Sequence, residues 1–206
     1  MKNLINLIKQ DALDIGGRCP INKGEVIKSL VQKTNAKICV EIGVFKGSSL
    51  MYFIESLMKT NGKVFGIDPY KISNFVNNIP DQKVHTMVYD VLFKEQETLD
   101  TIYNNLVKII EENNLSNFVK IYRQTSEECI ENFEPNSIDI LHIDGNHDEE
   151  FVTKDILNYL PLVKKGSFII MDDITWIGVK NSINNHLVDN CDLVHNYTDF
   201  AVYVKK

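Results

Sequence analysis

Apolar positions along this chain change rhythm after the first thirty-odd residues. Leu4, Leu7, Ile8 and Ile15 recur at near-helical spacing, which predicts an amphipathic helix within residues 1–20. A second helix is predicted over Gly24–Thr34, with Ile27, Leu30 and Val31 on one face. Short apolar runs follow: Lys37–Glu41, Lys63–Asp68, Phe118–Tyr122, Ile138–Asp144 and Ser167–Asp172. Each is too short for a helix and rich in Ile, Val and Phe. Such near-continuous apolarity suits a parallel strand buried on both faces. Ser48–Lys59, Glu95–Glu112 and Glu149–Leu160 lie between the runs and carry helical periodicity. The alternation predicts a doubly wound, mostly parallel α/β sheet. Cys191–Asn196 and Phe200–Lys205 are separated only by Tyr197–Asp199, too few residues for a crossover helix, so they form an antiparallel C-terminal hairpin.

No linker, repeat or low-complexity block interrupts residues 1–206, which read as one domain. About fifty residues separate Asp68 from Phe118, more than one crossover helix needs. Residues 70–116, with Tyr70, Phe75, His85, Tyr89 and Phe93, are therefore expected to form a lid over the site. Forty-four per cent hydrophobic residues suffice for a full core, and a net charge of −6 argues against nucleic acid as a partner. The four cysteines, Cys19, Cys39, Cys129 and Cys191, are scattered and read as reduced thiols. There is no secretory leader pattern and no run of the ~20 apolar residues that a bilayer requires. A cytoplasmic protein without a membrane partner is expected. The amphipathic start leaves a homodimer or higher homo-oligomer open.

In an open α/β sheet, ligands bind beyond the carboxyl ends of the strands. The first run ends in Glu41 and leads into Gly43-Val44-Phe45-Lys46-Gly47-Ser48-Ser49. The two glycines permit a tight turn, and Ser48 or Ser49 is expected to cap the next helix, whose free N–H groups attract a carboxylate. The second run ends in Asp68, placed to accept bonds from ribose hydroxyls. Glycines four apart are not the GxGxxG that cradles a pyrophosphate, and an acid before the loop repels one. The set suits S-adenosylmethionine, with its amino group and positive sulfonium, better than NAD.

The fourth and fifth runs end in Asp144 and in Asp172-Asp173. Three carboxylates at one sheet edge are costly to crowd unless a cation sits between them, and all-oxygen ligands suit Mg²⁺ or another hard divalent ion. Such an ion would polarise a substrate hydroxyl. His147, three residues past Asp144, is the candidate base, because histidine titrates near neutrality. His142 is read as a hydrogen-bonded structural residue on the sheet face opposite Ile143.

The stretches VEIGVFKGSS, VFGIDPY and ILHIDGNHDEEFVTKDILNYLPLVKKGSFIIMDDI resemble class I methyltransferases of the catechol O-methyltransferase-like group. The similarity extends to bacterial O-methyltransferases of macrolide and aminocoumarin sugars and covers residues 21–206. It implies a Rossmann-like seven-stranded sheet and a metal-assisted transfer of a methyl group to a small-molecule hydroxyl. By resemblance, Glu41, Gly43 and Gly47 line the methionine end of the cofactor, and Asp68 holds the ribose. Gln124-Thr125-Ser126 border the adenine; Asp144, Asp172 and Asp173 are the metal triad; and His147 stands where relatives carry a base. Asn146, where other relatives have Asp, is a poorer base, and Trp176 flanks the acceptor. Three rivals stay open: an NAD-dependent oxidoreductase, a metal-dependent hydrolase and a non-catalytic S-adenosylmethionine-binding module.

Overall fold

The computed structural model describes residues 4–8, 17–74 and 95–206. Seven strands form a single sheet: β1 (Ile38–Ile42), β2 (Lys63–Ile67), β3 (Val119–Tyr122), β4 (Ile138–Ile143), β5 (Val163–Met171), β6 (Cys191–Asn196) and β7 (Ala201–Lys205). Their order is β3-β2-β1-β4-β5-β7-β6. All pairings are parallel as far as β5, and β7 runs antiparallel to both β5 and β6. This is the doubly wound sheet with a C-terminal hairpin that the apolar rhythm predicts. Strand order switches between β1 and β4, which marks the ligand-binding edge of such a sheet.

The helices are α1 (Ile5–Ile8), α2 (Ile21–Thr34), α3 (Ser48–Thr60), α4 (Gln96–Glu112), α5 (Ser126–Cys129), α6 (Glu149–Tyr159) and α7 (Ile177–Ser182). Alternate strand residues feed two cores. Cys39, Val64, Ile140 and Ile170 face α2, α3 and α4 through Ile27, Val31, Leu50, Phe53 and Leu106. Val40, Leu141, Ile143 and Ile169 meet α6 and α7 through Val152, Ile156 and Val179. Burial on both faces is why these strands lack polar alternation. Among the described residues no helix is long and apolar enough to cross a membrane.

Some expected boundaries move. Among the described residues the N-terminal helix covers Ile5–Ile8, and residues 17–20 are not helical. Gly17 turns left-handed at φ 72° and Pro20 forms the N-cap of α2, so the chain breaks there and α2 starts at Ile21. Ile15 lies outside the described residues. In the expected lid, α4 is the crossover from β2 to β3, with Leu99, Leu106 and Ile110 buried against the domain. Phe75, His85, Tyr89 and Phe93 lie outside the described residues. β5 begins four residues early at Val163, because Val163 already pairs with Ile138 of β4; the register then shifts across the polar residues 164–167 before pairing resumes at Ile140 and Phe168.

Gly43 sits where the ends of β1 and β4 converge. Its φ is 88°, and a β-carbon there would stand 2.0 Å from the Asp144 carbonyl oxygen. Gly43→Ala is predicted to cost at least about 2 kcal/mol in chemical denaturation, from left-handed strain plus the clash with backbone. Wild-type stability in that variant would contradict this placement.

Candidate functional site

Four backbone hydrogen bonds tie the strand ends into one row. Asp68 N–H donates to Tyr122 O (3.1 Å), Gly43 N–H to Ile67 O (2.9 Å), Asp144 N–H to Ile42 O (2.8 Å) and Asp172 N–H to Ile143 O (3.0 Å). Asp68, Gly43, Asp144 and Asp172 are thereby neighbours at strand spacing, ~4.8 Å per step. The glycine-loop residues and the acidic residues of β4 and β5 share one edge.

Three residues at this edge, Phe45, Tyr70 and Asp173, have φ of 47°, 48° and 50°. Among the described residues the other non-glycine residues with positive φ are Asn35, Asn61, Asn114 and Asn136. Asparagine tolerates that conformation; a bulky aromatic does so at a cost of ~1–3 kcal/mol, and such strain collects at functional sites. Two of the strained residues hold each other, since the Tyr70 hydroxyl donates to Phe45 O at 2.8 Å.

Asp68 works first on its own backbone. Its Oδ2 accepts from Val44 N–H (3.1 Å) and Phe45 N–H (2.9 Å), and its Oδ1 accepts from Tyr70 N–H (2.8 Å). Burial raises its pKa against these three bonds. Of about four lone-pair positions on a carboxylate, one remains for a ligand hydroxyl.

Ser48 does not cap α3. The N-cap is Gly47, at φ 80°, and no side chain caps the helix. The Ser48 hydroxyl instead accepts from Cys19 N–H at 2.9 Å, which draws residues 17–20 across the loop. Ser49 donates to Glu41 Oε1. The uncapped first turn of α3 leaves N–H groups for an anion beside the fully buried carboxylate of Glu41, whose Oε2 has no hydrogen-bond partner among the described residues. An anion-seeking and a cation-seeking group side by side fit the zwitterionic end of an amino acid.

Thr125 and Ser126 are locally engaged. Thr125 forms a capping box with Glu128 at the start of α5, and the Ser126 hydroxyl donates to Asp155 Oδ1 at 2.5 Å. Burial pushes Asp155 up to about 7.

The three aspartates do not gather as one set. Asp144 and Asp172 share the ammonium of Lys23 from α2, which contacts Asp172 and lies 3.3 Å from Asp144 Oδ2. Lys23 is only 5% exposed. Asp173 lies against His147 on the other side of Asp144, with 2.8 Å between Oδ2 and Nε2, an ion-pair separation off the hydrogen-bonding direction. His147 also stacks on Trp176, centroids 4.7 Å apart. Atoms near enough to share an ion fall into two groups, His142/Asp144/Asp172 and Asp144/His147/Asp173. The all-oxygen triad expected for Mg²⁺ is therefore not formed, and its residues do not fit an ion held by all three carboxylates.

His142 belongs to this cluster. It does lie opposite Ile143 and is hydrogen-bonded, with Nδ1 3.1 Å from Glu41 Oε1, yet its Nε2 stands 3.8 Å from Asp144 and 3.9 Å from Asp172. Two-residue alternation from His142 to Asp144 could have shown this. Lys23 carried no comparable signal, because nothing in an amphipathic helix marks one lysine as buried. Burial works against charge throughout: it lowers Lys23 and raises the acids. The carboxylates of Asp144 and Asp172 nevertheless raise Lys23 overall, while Lys23 and His142 hold Asp172 below the usual range. Asp144 stays raised. Asn146 is spent locally, its Oδ1 accepting from Asp148 N–H at 2.8 Å.

A sequence model of the family described as a methyltransferase domain matches residues 40–174. Over 140 residues the chain is 33% identical to an uncharacterised protein of Acanthamoeba polyphaga mimivirus, covering 65% of this chain and 50% of that one. It is 23% identical over 171 residues to the flavonoid 3',5'-methyltransferase of Vitis vinifera, covering 82% and 61%. The chain thus spans about half to three fifths of the length of these relatives. An O-methyltransferase from Bacillus cereus, solved in complex with SAH, shares the fold with a TM-score of 0.68 at 16% identity, covering 100% of this chain and 92% of that one.

Burial depresses the His142 imidazole, but the carboxylates around it outweigh burial and hold its pKa up at about 9, against 6.5 for the free side chain. A raised pKa means that the folded state keeps the proton. The stability it contributes is full below about pH 6.5 and is lost as pH rises through about 9. An NMR titration should show the His142 ring protonated at pH 7, and His142→Gln should flatten the loss of stability between those limits. A ring titrating near 6.5 would contradict the cluster described here.

Proposed function

The chain belongs to the methyltransferase-domain family, and on that footing we propose that it transfers a methyl group from S-adenosylmethionine to a hydroxyl of a small molecule. The observation that carries this is the single row of strand ends. It sets Gly43, which lies between Glu41 and the open turn of α3, beside Asp144, three residues before His147. The family match, the B. cereus O-methyltransferase fold and the flavonoid methyltransferase relative support an oxygen acceptor. A sugar or other natural-product hydroxyl remains the preferred class.

Glu41 faces the cationic part of the cofactor, the first N–H groups of α3 its carboxylate, and the spare lone pair of Asp68 a ribose hydroxyl. Gln124, Thr125 and Ser126 border the adenine mainly through backbone, since the Thr125 and Ser126 hydroxyls are already engaged. When bound, S-adenosylmethionine supplies a methyl on a positive sulfur that leaves as a neutral thioether. The protein has to align the acceptor and take its proton; positioning alone supplies much of such an acceleration. His147 is the proton acceptor. With Asp173 facing Nε2, Nδ1 is the atom that receives the hydroxyl proton, and Asp173 balances the imidazolium that results. Trp176 fixes the plane of the ring by stacking.

Calorimetry should show one S-adenosylmethionine per chain and no NAD, with affinity weakened at least about tenfold in Glu41→Gln by the loss of one buried charge. In a methylation screen of hydroxylated sugars and phenols, His147→Ala should lower kcat by about a hundredfold or more while cofactor affinity holds. NAD binding would overturn the cofactor. Binding of S-adenosylmethionine without turnover of any acceptor would favour the non-catalytic module.

A further inference from the structure

Three aspartates stand at one sheet edge, and cationic or titratable side chains of the same chain, Lys23 and His147, lie against them. We propose that the ammonium of Lys23 takes the place of the divalent ion between Asp144 and Asp172, while His147 engages Asp173, so that the chain binds no dication among Asp144, Asp172 and Asp173 and works without one. The proposal rests on reading this edge as the methyl-transfer site, and its test scores metal binding apart from turnover.

Lys23 is not a surface lysine that happens to fold inward. Its neighbour Gly24 brings α2 against α3 so closely that a β-carbon would stand 2.2 Å from the Tyr52 ring. Ser56 of α3 donates to Lys28 O at 3.1 Å, and Cys19 N–H anchors the approach to α2 on Ser48. The helix is thus fastened by packing and by two hydrogen bonds, with position 23 directed at the strand ends. The ammonium contacts Asp172 and stands 3.3 Å from Asp144, the position from which a dication would have to hold both. Ca²⁺ or Mg²⁺ needs its oxygens at about 2.0–2.6 Å, so binding there must expel a buried lysine from its counter-ions.

Asp173 departs in the same sense. Its left-handed backbone presents the carboxylate to His147, which Trp176 holds by stacking. An ion on the remaining group, Asp144, His147 and Asp173, would take the imidazole as a ligand and so remove the proton acceptor. Lys23 is a positioning residue in this scheme. It acts through Asp144 and Asp172, holding Asp172 as a carboxylate and both side chains in place beside the acceptor.

The test is a titration of Mn²⁺ into the 206-residue chain, with and without S-adenosylhomocysteine, followed by calorimetry and by the EPR signal of free Mn²⁺. Wild type should bind no Mn²⁺ up to about 1 mM, the weak end of protein dication sites, and any turnover should survive EDTA within about twofold. Lys23→Met should lose at least about tenfold in turnover, gain a Mn²⁺ site and recover activity with Mn²⁺, whereas Lys23→Arg should work without it. One Mn²⁺ per wild-type chain, lost in Asp172→Asn or Asp173→Asn, overturns the proposal, as does turnover abolished by EDTA and restored by Mn²⁺. If Lys23→Met does not fold, the wild-type titration decides alone. If no acceptor is ever methylated, the Mn²⁺ measurement still stands.

Discussion

The central constraint on this protein is the burial of negative charge at the carboxyl edge of the sheet. Glu41 and Asp172 are buried and Asp144 is partly buried, and all three stand at the ends of adjacent strands that must be apolar elsewhere. Unpaired charges in such a place cost several kcal/mol each. Lys23 and a protonated His142 supply the compensation. That requirement fixes the depth of α2, and with it the need for glycine at position 24. The site and the α2–α3 face of the core are one packing problem.

Strain is distributed along the same edge. Phe45, Tyr70 and Asp173 hold left-handed backbones, and contacts fix the first two: Asp68 collects the N–H groups of Val44, Phe45 and Tyr70, and Tyr70 bonds back to Phe45. The outcome is a loop whose backbone is fixed before any ligand arrives. This suits a reaction in which alignment matters more than covalent assistance. Asp68 therefore organises the loop as well as offering a remaining lone pair to a ribose.

The sheet was legible in the sequence because both-face burial leaves a coarse mark, short runs of Ile, Val and Phe separated by helical stretches. The strand-end rule then located Glu41, Gly43, Asp68, Asp144 and Asp172 from the residues that close those runs. Three other features were not legible. Lys23 gave no sign of burial, since a lysine in an amphipathic helix reads as solvated. The turn of Asp173 toward His147 depends on one backbone dihedral, and Ser48 found a backbone partner from residues 17–20 where a helix cap was expected. Counting acids at the edge could not reveal the Lys23 ammonium that another helix delivers to Asp144 and Asp172.

The most direct measurement is a crystal structure of the chain with S-adenosylhomocysteine, grown with Mn²⁺ and recorded with anomalous data. The account predicts the nucleoside along the Gly43–Asp68 edge, Lys23 still between Asp144 and Asp172, and no anomalous peak among the three aspartates. A nucleoside bound elsewhere, or a Mn²⁺ peak in place of the Lys23 ammonium, would contradict it.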